Sequence, residues 1–180
     1  QARENFEKAL RILETEPESI ELAALYAVRA SISYFTEDVT KARSWAEKAL
    51  ELGKKLNAFE VIASSYVDLG LVFGATGERK EAVECQEKAL KIALDNGYLE
   101  IAGRAYNNLA QQLPPEENER ILDCYEKGFE LARKTGTIYF ISWLGSELSW
   151  MHLGMGNMNK AIEYVEQSIA LDRKAGNIAH

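Results

Sequence analysis

The chain has 180 residues, of which 47% are hydrophobic and 27% are charged, a composition typical of globular proteins. Its formal net charge of −7 argues against direct binding to nucleic acid or to an anionic membrane surface, since both need clustered lysine and arginine. The sequence shows no apolar run of the roughly 20 residues that a membrane span needs, and no apolar core of a signal peptide near residue 1. We therefore expect a soluble, cytoplasmic protein.

A short sequence recurs along the chain at a nearly constant interval. Glu-Lys-Ala-Leu occurs at 7–10, 47–50 and 87–90, and altered copies follow at 126–129 and 166–169. The successive intervals are 40, 40, 39 and 40 residues. A fixed period between about 20 and 50 residues is typical of a solenoid, in which each unit stacks on copies of itself. The sequence therefore predicts a repeat array, whose extended surfaces are suited to binding.

The repeat period divides the chain into successive units. Residues 1–16 are predicted to form the second helix of a truncated repeat, and residues 177–180 resemble the start of a further repeat. Between them, complete repeats are predicted at residues 17–56, 57–96, 97–136 and 137–176. We therefore expect a single array of residues 1–180, and we expect it to be a piece of a longer protein.

The clearest repeat, residues 57–96, has the pattern of a helical hairpin. Apolar residues recur at helical spacing in its first half, which stops at the glycine-containing stretch 74–77. Its second half carries a stripe of alanine and leucine opposite glutamate and lysine, and ends at Asn96-Gly97, a pair typical of a left-handed helix cap. Turn or cap residues are predicted in later repeats at Asn118, Gly136, Gly156, Asn157 and Gly176.

The two cysteines, Cys85 and Cys124, occupy the same position in consecutive repeats. They are therefore predicted to lie on neighbouring, roughly parallel helices. Packed helix axes are about 8–10 Å apart, whereas a disulfide needs Cα atoms within about 7 Å of each other. We expect two reduced thiols with a structural role.

One set of residues in the 57–96 repeat resembles the tetratricopeptide repeat family, in which small residues occur where the paired helices touch. The set comprises Tyr66, Leu69, Gly70, Phe73, Gly77, Ala82 and Ala89. The other repeats keep parts of it, and the resemblance covers essentially the whole chain. It implies an all-α fold, a right-handed α-α superhelix of helical hairpins, whose first helices line a concave groove that takes extended or helical peptides.

Some features depart from the usual tetratricopeptide pattern. The period is 40 residues where about 34 is usual. The first repeat has Arg29 and Ser33 at positions where large apolar residues are expected, and the fourth departs at Gly145, Ser149 and His152. The longer period is similar to that of the subtype found in kinesin light chains and in the sensor arrays of maltose-regulator-type signalling ATPases.

Charge is distributed unevenly between the two helices of each repeat, which indicates where a groove would lie. The second helices are rich in glutamate, lysine and arginine, and the first helices carry few charges. Charged stretches of this kind most simply form a solvated surface, supported by pairs such as Glu84 and Lys88 at i, i+4. The first helices are therefore predicted to face packing partners or a ligand.

A polar stripe on the first helix of the third repeat is the leading candidate for peptide contact. Arg104, Asn107 and Gln111 follow an i, i+3, i+7 spacing, with Asn108 beside them. Their side chains can hydrogen-bond a peptide backbone. The corresponding stripe in the fourth repeat is predicted at Trp143, Ser146 and Trp150. A clamp for a C-terminal carboxylate is not favoured, because it needs several cations on neighbouring first helices.

Aromatic and methionine side chains crowd the fourth repeat. They are Tyr139, Phe140, Trp143, Trp150, Met151, Met155 and Met158. Exposed tryptophan and tyrosine are frequent at binding hot spots, where truncation costs about 2 kcal/mol or more. Two explanations stay open at this point: these side chains contact a ligand, or they belong to the hairpin core or pack against further repeats.

Catalytic chemistry has little support in the sequence. The two histidines are His152, at a packing position, and His180. Neither belongs to a catalytic triad, a metal-ligand spacing or a phosphate-binding loop. We therefore predict no enzyme activity, no catalytic or metal site and no cofactor.

The predicted function is a protein–protein interaction scaffold that binds a peptide or partner helix in the groove. The alternative is an effector-sensing or spacer array within a multidomain signalling ATPase or transcription regulator. The expected partner is a protein or peptide, with no direct contact to nucleic acid or membrane. Self-association is a further prediction, because uncapped ends of a solenoid expose apolar surface.

Overall fold

The computed structural model describes residues 2–36 and 38–174, and this part of the chain is almost entirely helical. Its α-helices are α1 (Ala2–Leu13), α2 (Ile20–Thr36), α3 (Val39–Lys55), α4 (Phe59–Thr76), α5 (Arg79–Asn96), α6 (Leu99–Gln112), α7 (Asn118–Thr135), α8 (Ile138–Gly154) and α9 (Met158–Lys174). A single 3₁₀ turn, Pro115–Glu117, precedes α7, and the described residues contain no β-strand. The predicted all-α class is confirmed. The predicted cap at Gly176 and the start of a further repeat at 177–180 lie outside the described residues.

Consecutive helices pack as hairpins: α2 with α3, α4 with α5, α6 with α7, and α8 with α9. The chain folds into two compact units, with the boundary between Gly97 and Tyr98. In the first unit α4 also packs on α3 and on α2, and in the second unit α8 also packs on α7. The unit boundary lies next to the predicted junction of two repeats, while the single array of residues 1–180 stays a prediction.

Glycine ends several helices as the sequence predicts. Gly77, Gly97 and Gly136 cap α4, α5 and α7 with φ of 84°, 75° and 72°, a left-handed conformation that a side chain disfavours. Asn57, with φ of 54°, adopts this conformation just after α3, where the chain has no glycine. Asparagine is among the few residues that tolerate it, because its short amide can hydrogen-bond locally.

The turn between α6 and α7 differs from the prediction. Asn118 was expected in the turn, but it is the first residue of α7. The connection is made instead by Pro114, which is extended, and by the 3₁₀ turn that begins at Pro115. Proline suits these positions because its ring restricts φ and it has no backbone N–H that needs a helical partner.

Close helix contacts within the hairpins explain two glycines. In α4–α5, the buried Gln86 side chain crosses over Gly70 and its Nε2 donates to the carbonyl oxygen of Val67 at 3.0 Å. In α8–α9, the Ser168 hydroxyl lies over Gly145. A Cβ at either glycine would overlap the facing polar atom. Gly145, a departure from the family pattern, is therefore a contact point of the α8–α9 hairpin.

Cys85 and Cys124 are both buried, and neither forms a disulfide. Burial raises the pKa of the Cys85 thiol, which keeps it in the less reactive protonated form at neutral pH. Ala82 and Ala89 of the same helix are fully buried, as expected where two helices touch. These small residues allow α5 to approach α4 closely.

The apolar helix α4 occupies an interior position in its unit. Among the described helices it is the one that is long and apolar enough to cross a membrane, with 18 residues and a mean hydropathy of 1.2. Half of this stretch is buried, and α4 packs against α2, α3 and α5. The sequence pattern did not indicate this run, which is interrupted by Glu60 and Asp68. Its contacts with three helices explain its apolar composition.

Candidate functional site

The outward side of α8 carries exposed aromatic side chains. Tyr139, Trp143, Ser146 and Trp150 follow a spacing of four, three and four residues, which places them on one side of a helix. Trp150 is 72% exposed and Trp143 is 43% exposed. We call these four residues the aromatic face of α8. Trp143, Ser146 and Trp150, which the sequence places on one stripe, are all exposed in the structure.

The opposite side of α8 supports this face. Ile141, Leu144 and Leu148 are buried on that side, and α8 packs there on α7 and α9. The helix is therefore apolar on both sides, although only one side is buried within its unit. Packing inside the described part of this unit does not account for the tryptophans, which makes their exposure a candidate binding feature.

The polar stripe of α6 is arranged differently from the prediction. Asn107 and Asn108 are buried, with 6% and 7% exposure, while Gln111 is exposed. Gln111 Nε2 donates to Asn107 Oδ1 at 3.2 Å, and Asn107 Nδ2 donates to Asn108 Oδ1 at 3.1 Å. The amides thus partner one another, as buried polar groups generally must. Arg104 is half-buried, and its side chain also has an interaction partner.

The predicted site residues fall into two groups on separate helices. Hydrogen bonds join Asn107, Asn108 and Gln111 on α6, whereas Trp143, Ser146 and Trp150 share one side of α8. Both helices pack on α7, which is their common neighbour. In the described residues, α6 and α8 do not pack closely on each other. The assignment of these residues to one peptide groove stays a prediction.

A buried aromatic cluster holds the C-terminal half of α8. His152 is 2% exposed, and its ring stacks on Tyr164 of α9 with centroids 5.5 Å apart. Its Nε2 atom is 3.9 Å from Glu126 Oε1, and the Tyr164 hydroxyl donates to the same oxygen at 3.5 Å. Burial and then Glu126 raise the pKa of Tyr164 to about 12. The sequence placed His152 at a packing position but did not indicate these partners.

A second exposed stripe, on α9, was missed by the sequence analysis. Met158, Ile162, Val165 and Ile169 are exposed, and they follow a spacing of four, three and four residues. Only Met158 was singled out from the sequence, among the methionines of the fourth repeat. The regular spacing was the available indication, but the same pattern also occurs on buried helix faces.

Metal ligation has no support in the described residues. Across 2–36 and 38–174, no group of three or more histidine, cysteine, aspartate or glutamate side chains is arranged to hold an ion. The aromatic face offers groups for non-covalent contact: apolar area, indole N–H donors and the Ser146 hydroxyl, which donates to the Ser142 carbonyl at 3.1 Å.

Comparison with known families identifies the architecture. The tetratricopeptide repeat profile matches residues 63–96 and 147–174, within the α4–α5 and α8–α9 hairpins. The chain thus contains tetratricopeptide-type repeats in these two hairpins. Tetratricopeptide repeats are in general non-catalytic scaffolds for protein interaction, and each unit here is built from the expected hairpins.

A known protein is similar in sequence to part of this chain. Alpha-soluble NSF attachment protein of Vitis vinifera is 27% identical over 105 residues, which cover 58% of this chain. The chain spans only 36% of the length of that protein.

Solved structures share the fold at low sequence identity. Aspartyl phosphate phosphatase F from Bacillus subtilis matches with a TM-score of 0.81 and 18% identity. The match covers 98% of this chain and 47% of the phosphatase chain. MamA matches with a TM-score of 0.64 and 17% identity, over 98% of this chain and 94% of the MamA chain. A third match is a putative kinesin light chain from Podosopora anserina with nearly identical TPR-like repeats. It has a TM-score of 0.58 and 19% identity, over 97% of this chain and 87% of the kinesin light chain structure.

Proposed function

We propose that this chain is a protein–protein interaction scaffold that binds a peptide or partner helix, with the aromatic face of α8 as the main contact. The observation that carries the proposal is the exposure of Trp143 and Trp150 on one side of a helix whose other side is buried. Tryptophan adds large contact area at low entropic cost and is enriched at binding hot spots.

The rigidity of α8 supports this assignment. Its buried residues Leu144, Leu148 and His152 have at most 2% exposure, so the helix is held by packing along most of its length. The indole rings are therefore presented from a fixed backbone. A preorganised surface loses less conformational entropy on binding than a flexible one, and this favours affinity.

The α6 residues have a secondary role in the proposal. Gln111 is exposed, and its Nε2 already donates to Asn107, which leaves the amide oxygen of Gln111 to accept from a peptide N–H. Asn107 and Asn108 hold this amide in place instead of reaching the ligand themselves. We therefore expect Gln111 to adjust the orientation of a bound peptide and the tryptophans to supply most of the affinity.

The test is affinity capture from source-cell lysate, followed by a titration of the purified captured protein against variants of the chain. Trp143→Ala/Trp150→Ala is expected to weaken binding about 30-fold or more, which corresponds to about 2 kcal/mol. Phe35→Ala is the matched control, because Phe35 is a 77% exposed aromatic residue on α2. Gln111→Ala is expected to weaken binding less than the tryptophan variant.

Equal affinity of the tryptophan variant and the unmodified chain, with helicity retained in both, would overturn the assignment of the aromatic face. Loss of binding in Phe35→Ala but not in the tryptophan variant would move the site to the first unit. Loss in both would indicate general instability, which circular dichroism separates from a binding effect.

The alternative function, an effector-sensing or spacer array in a longer signalling protein, is supported by the 40-residue period and by the 47% coverage of phosphatase F. It predicts that a phosphate-binding loop or a helix-turn-helix is encoded in the same reading frame. It also predicts that the tryptophan variant changes the response of the longer protein to its effector. Both versions of the proposal locate the protein in the cytoplasm.

A further inference from the structure

A cavity of about 280 Å³ lies in the first unit, along the α2–α3 hairpin. Leu22 and Leu52, which are both buried, give it an apolar lining, and the half-buried side chain of Tyr26 forms another part of its wall. We call it the Tyr26 cavity. Pockets that enclose a drug-sized ligand have volumes of about 300–1,000 Å³. The Tyr26 cavity is therefore suited to one large side chain or to a compound of similar size.

The walls of the Tyr26 cavity belong to a single hairpin and the segment before it. They come from α2, from α3 and, at Glu18, from the connection between α1 and α2. The two helices pack on each other, and α4 packs on both of them. The cavity is thus a property of the α2–α3 hairpin, which lies between α1 and α4 in the chain.

A lysine ammonium group already rests on aromatic rings beside the cavity. Lys48 Nζ is 4.4 Å from the ring centroid of Trp45 and 5.7 Å from that of Tyr26. The two rings are tilted by 32°, with their centroids 5.5 Å apart. Lys88 repeats the contact in the α4–α5 hairpin, at 5.8 Å from the ring centroid of Tyr66. These rings therefore accept a positive charge on their electron-rich faces.

The two tyrosines differ in the charged group that follows the preceding helix or ends it. Lys54 Nζ is 5.5 Å from the Tyr66 ring centroid. The residue 40 positions earlier is Glu14, which accepts a hydrogen bond from the Tyr26 hydroxyl at 3.4 Å. Burial, then Glu14 and Glu18, raise the pKa of Tyr26. The carboxylates place negative potential at Tyr26, whereas a further cation at Tyr66 would meet two ammonium groups.

The charges around the Tyr26 cavity leave one carboxylate in excess. Glu18 pairs with Lys55, and both line the cavity together with Lys48 and Glu51. Glu14, bonded to the tyrosine hydroxyl, is a third carboxylate, so three negative charges stand against two positive ones. Glu51 is exposed and makes no ion pair within the part of the chain that the structure describes. One positive charge on a ligand would balance this set, and Glu51 is the carboxylate open to it.

The groups at the cavity suit a guanidinium better than an ammonium group. A guanidinium is planar and weakly hydrated, stacks on aromatic faces, and presents two parallel N–H donors to a carboxylate. We propose that the Tyr26 cavity binds a guanidinium group, carried by an arginine of a partner protein. The guanidinium contacts Tyr26 and Glu51, and its methylene groups pack on Leu22 and Leu52. This site goes beyond the proposed function, because it lies in the first unit and selects its ligand by charge.

Three short peptides test the proposal against the full chain. They are acetyl-Ala-Arg-Ala-amide and the same peptide with citrulline or with lysine in place of arginine. Citrulline has the shape of arginine without its charge. In an NMR titration of the labelled chain, the arginine peptide is expected to bind at least about tenfold more tightly than the citrulline peptide, and more tightly than the lysine peptide. The amide signals that shift are expected at Leu22, Tyr26 and Glu51.

Variants of the chain assign the binding to this cavity. Glu51→Gln is expected to weaken the arginine peptide about fivefold or more and to leave the citrulline peptide unchanged. Glu84→Gln, at an exposed glutamate of α5, is the matched control and should have no effect. Lys48→Met removes the nearest like charge and should tighten binding about two- to fivefold. Trp143→Ala/Trp150→Ala is expected to leave it unchanged, so failure here is distinguishable from failure of the aromatic face.

Three results would each overturn the guanidinium site: no binding of the arginine peptide, equal binding of the arginine and citrulline peptides, or unchanged affinity in Glu51→Gln. The peptide comparison uses the unmodified chain, so it decides the case even if circular dichroism shows that a variant has lost helicity. Free arginine is the last probe. Its own carboxylate would approach Glu18 and Glu51, so weaker binding than that of the peptide is expected. Tighter binding of free arginine would overturn the partner protein as the source and assign the cavity to a small guanidinium compound.

Discussion

The α4–α5 and α8–α9 hairpins match the same repeat profile but have very different surfaces. Each places a glycine of its first helix under a polar side chain of its second, Gln86 over Gly70 and Ser168 over Gly145. In the first hairpin, Phe59 and Leu94 are the large apolar side chains that are exposed. In the second, the exposed set is Tyr139, Trp143, Trp150, Leu153, Met155, Met158, Ile162, Val165 and Ile169.

The difference shows which positions the repeat pattern governs. Residues where the two helices of a hairpin touch must be small or complementary, because interiors are closely packed. Residues on the outer sides of the helices are free of that restriction and can specialise for a partner. A shared profile therefore reports the hairpin, while the exposed apolar side chains distinguish α8–α9 from α4–α5.

The largest expected effect is a charge at the contact between the helices of the α4–α5 hairpin. Ala89→Asp, at a fully buried position, is expected to lower the free energy of unfolding by about 3 kcal/mol or more, because the carboxylate is buried without a partner. Urea unfolding measures the loss. Ala170→Asp, at an exposed alanine of α9, is the matched control. An unchanged unfolding midpoint in Ala89→Asp would show that this contact face is assigned wrongly.

The second-largest expected effect is a loss of stability of the second unit at alkaline pH. Burial raises the pKa of Tyr125 and of Tyr164 to about 12, above the usual 10. Between pH 10 and 12 the unfolded chain therefore releases protons that the folded chain keeps, and stability falls as pH rises. The loss is expected to be about 2 kcal/mol, given partial solvent screening.

Urea titrations at a series of alkaline pH values test this expectation. Tyr164→Phe removes one of the titrating groups, so its stability should depend less on pH in this range. The same dependence in Tyr164→Phe and in the unmodified chain would exclude Tyr164 as a source of the effect.

A smaller loss of stability is expected at the two glycine contacts, and it differs between them. Gly70→Ala displaces the Gln86 amide and leaves a buried group without its bond to Val67, at a cost of about 1–2 kcal/mol. Gly145→Ala is expected to cost less, because the Ser168 hydroxyl also donates to the Tyr164 carbonyl at 2.9 Å. Adding Ser168→Ala to Gly145→Ala removes the overlap and should restore stability. Thermal unfolding measures the stability of these three variants. A larger loss of stability in Gly145→Ala than in Gly70→Ala would contradict the expected order.

The smallest effect on stability is expected at the aromatic face. Trp150→Ala should change the free energy of unfolding by less than about 0.5 kcal/mol, since the side chain is largely exposed. Leu148→Ala, two residues away and fully buried, should cost about 2–5 kcal/mol. If Trp150→Ala is as destabilising as Leu148→Ala, Trp150 is a core residue and its proposed role in binding is withdrawn.

Particular residues show how far sequence reasoning reached. The helix ends at Gly77, Gly97 and Gly136 were predictable because the left-handed conformation is a local property of the backbone. Trp143 and Trp150 were predicted to share a stripe by helical spacing alone. The start of α7 was misplaced, because the proline pair permits several turns and the sequence does not select among them.

The burial of Asn107 and Asn108 could not be predicted in the same way. An asparagine on a first helix suits both a ligand-binding surface and an internal amide network, and the two differ only in what packs around it. The α9 stripe was missed for a related reason. Its spacing is that of a buried seam, and its exposure depends on which helices are present beside α9.

The repeat period, the helical hairpins and the glycine caps follow from the sequence, because each depends on residues close together in the chain. Tertiary structure decided which apolar faces are covered, which polar side chains satisfy one another, and why Gly70 and Gly145 are needed. Those outcomes depend on the approach of helices separated along the chain, where one apolar stripe can be a core or a binding surface. In the described part of this protein, the tryptophans of α8 and the apolar stripe of α9 are exposed.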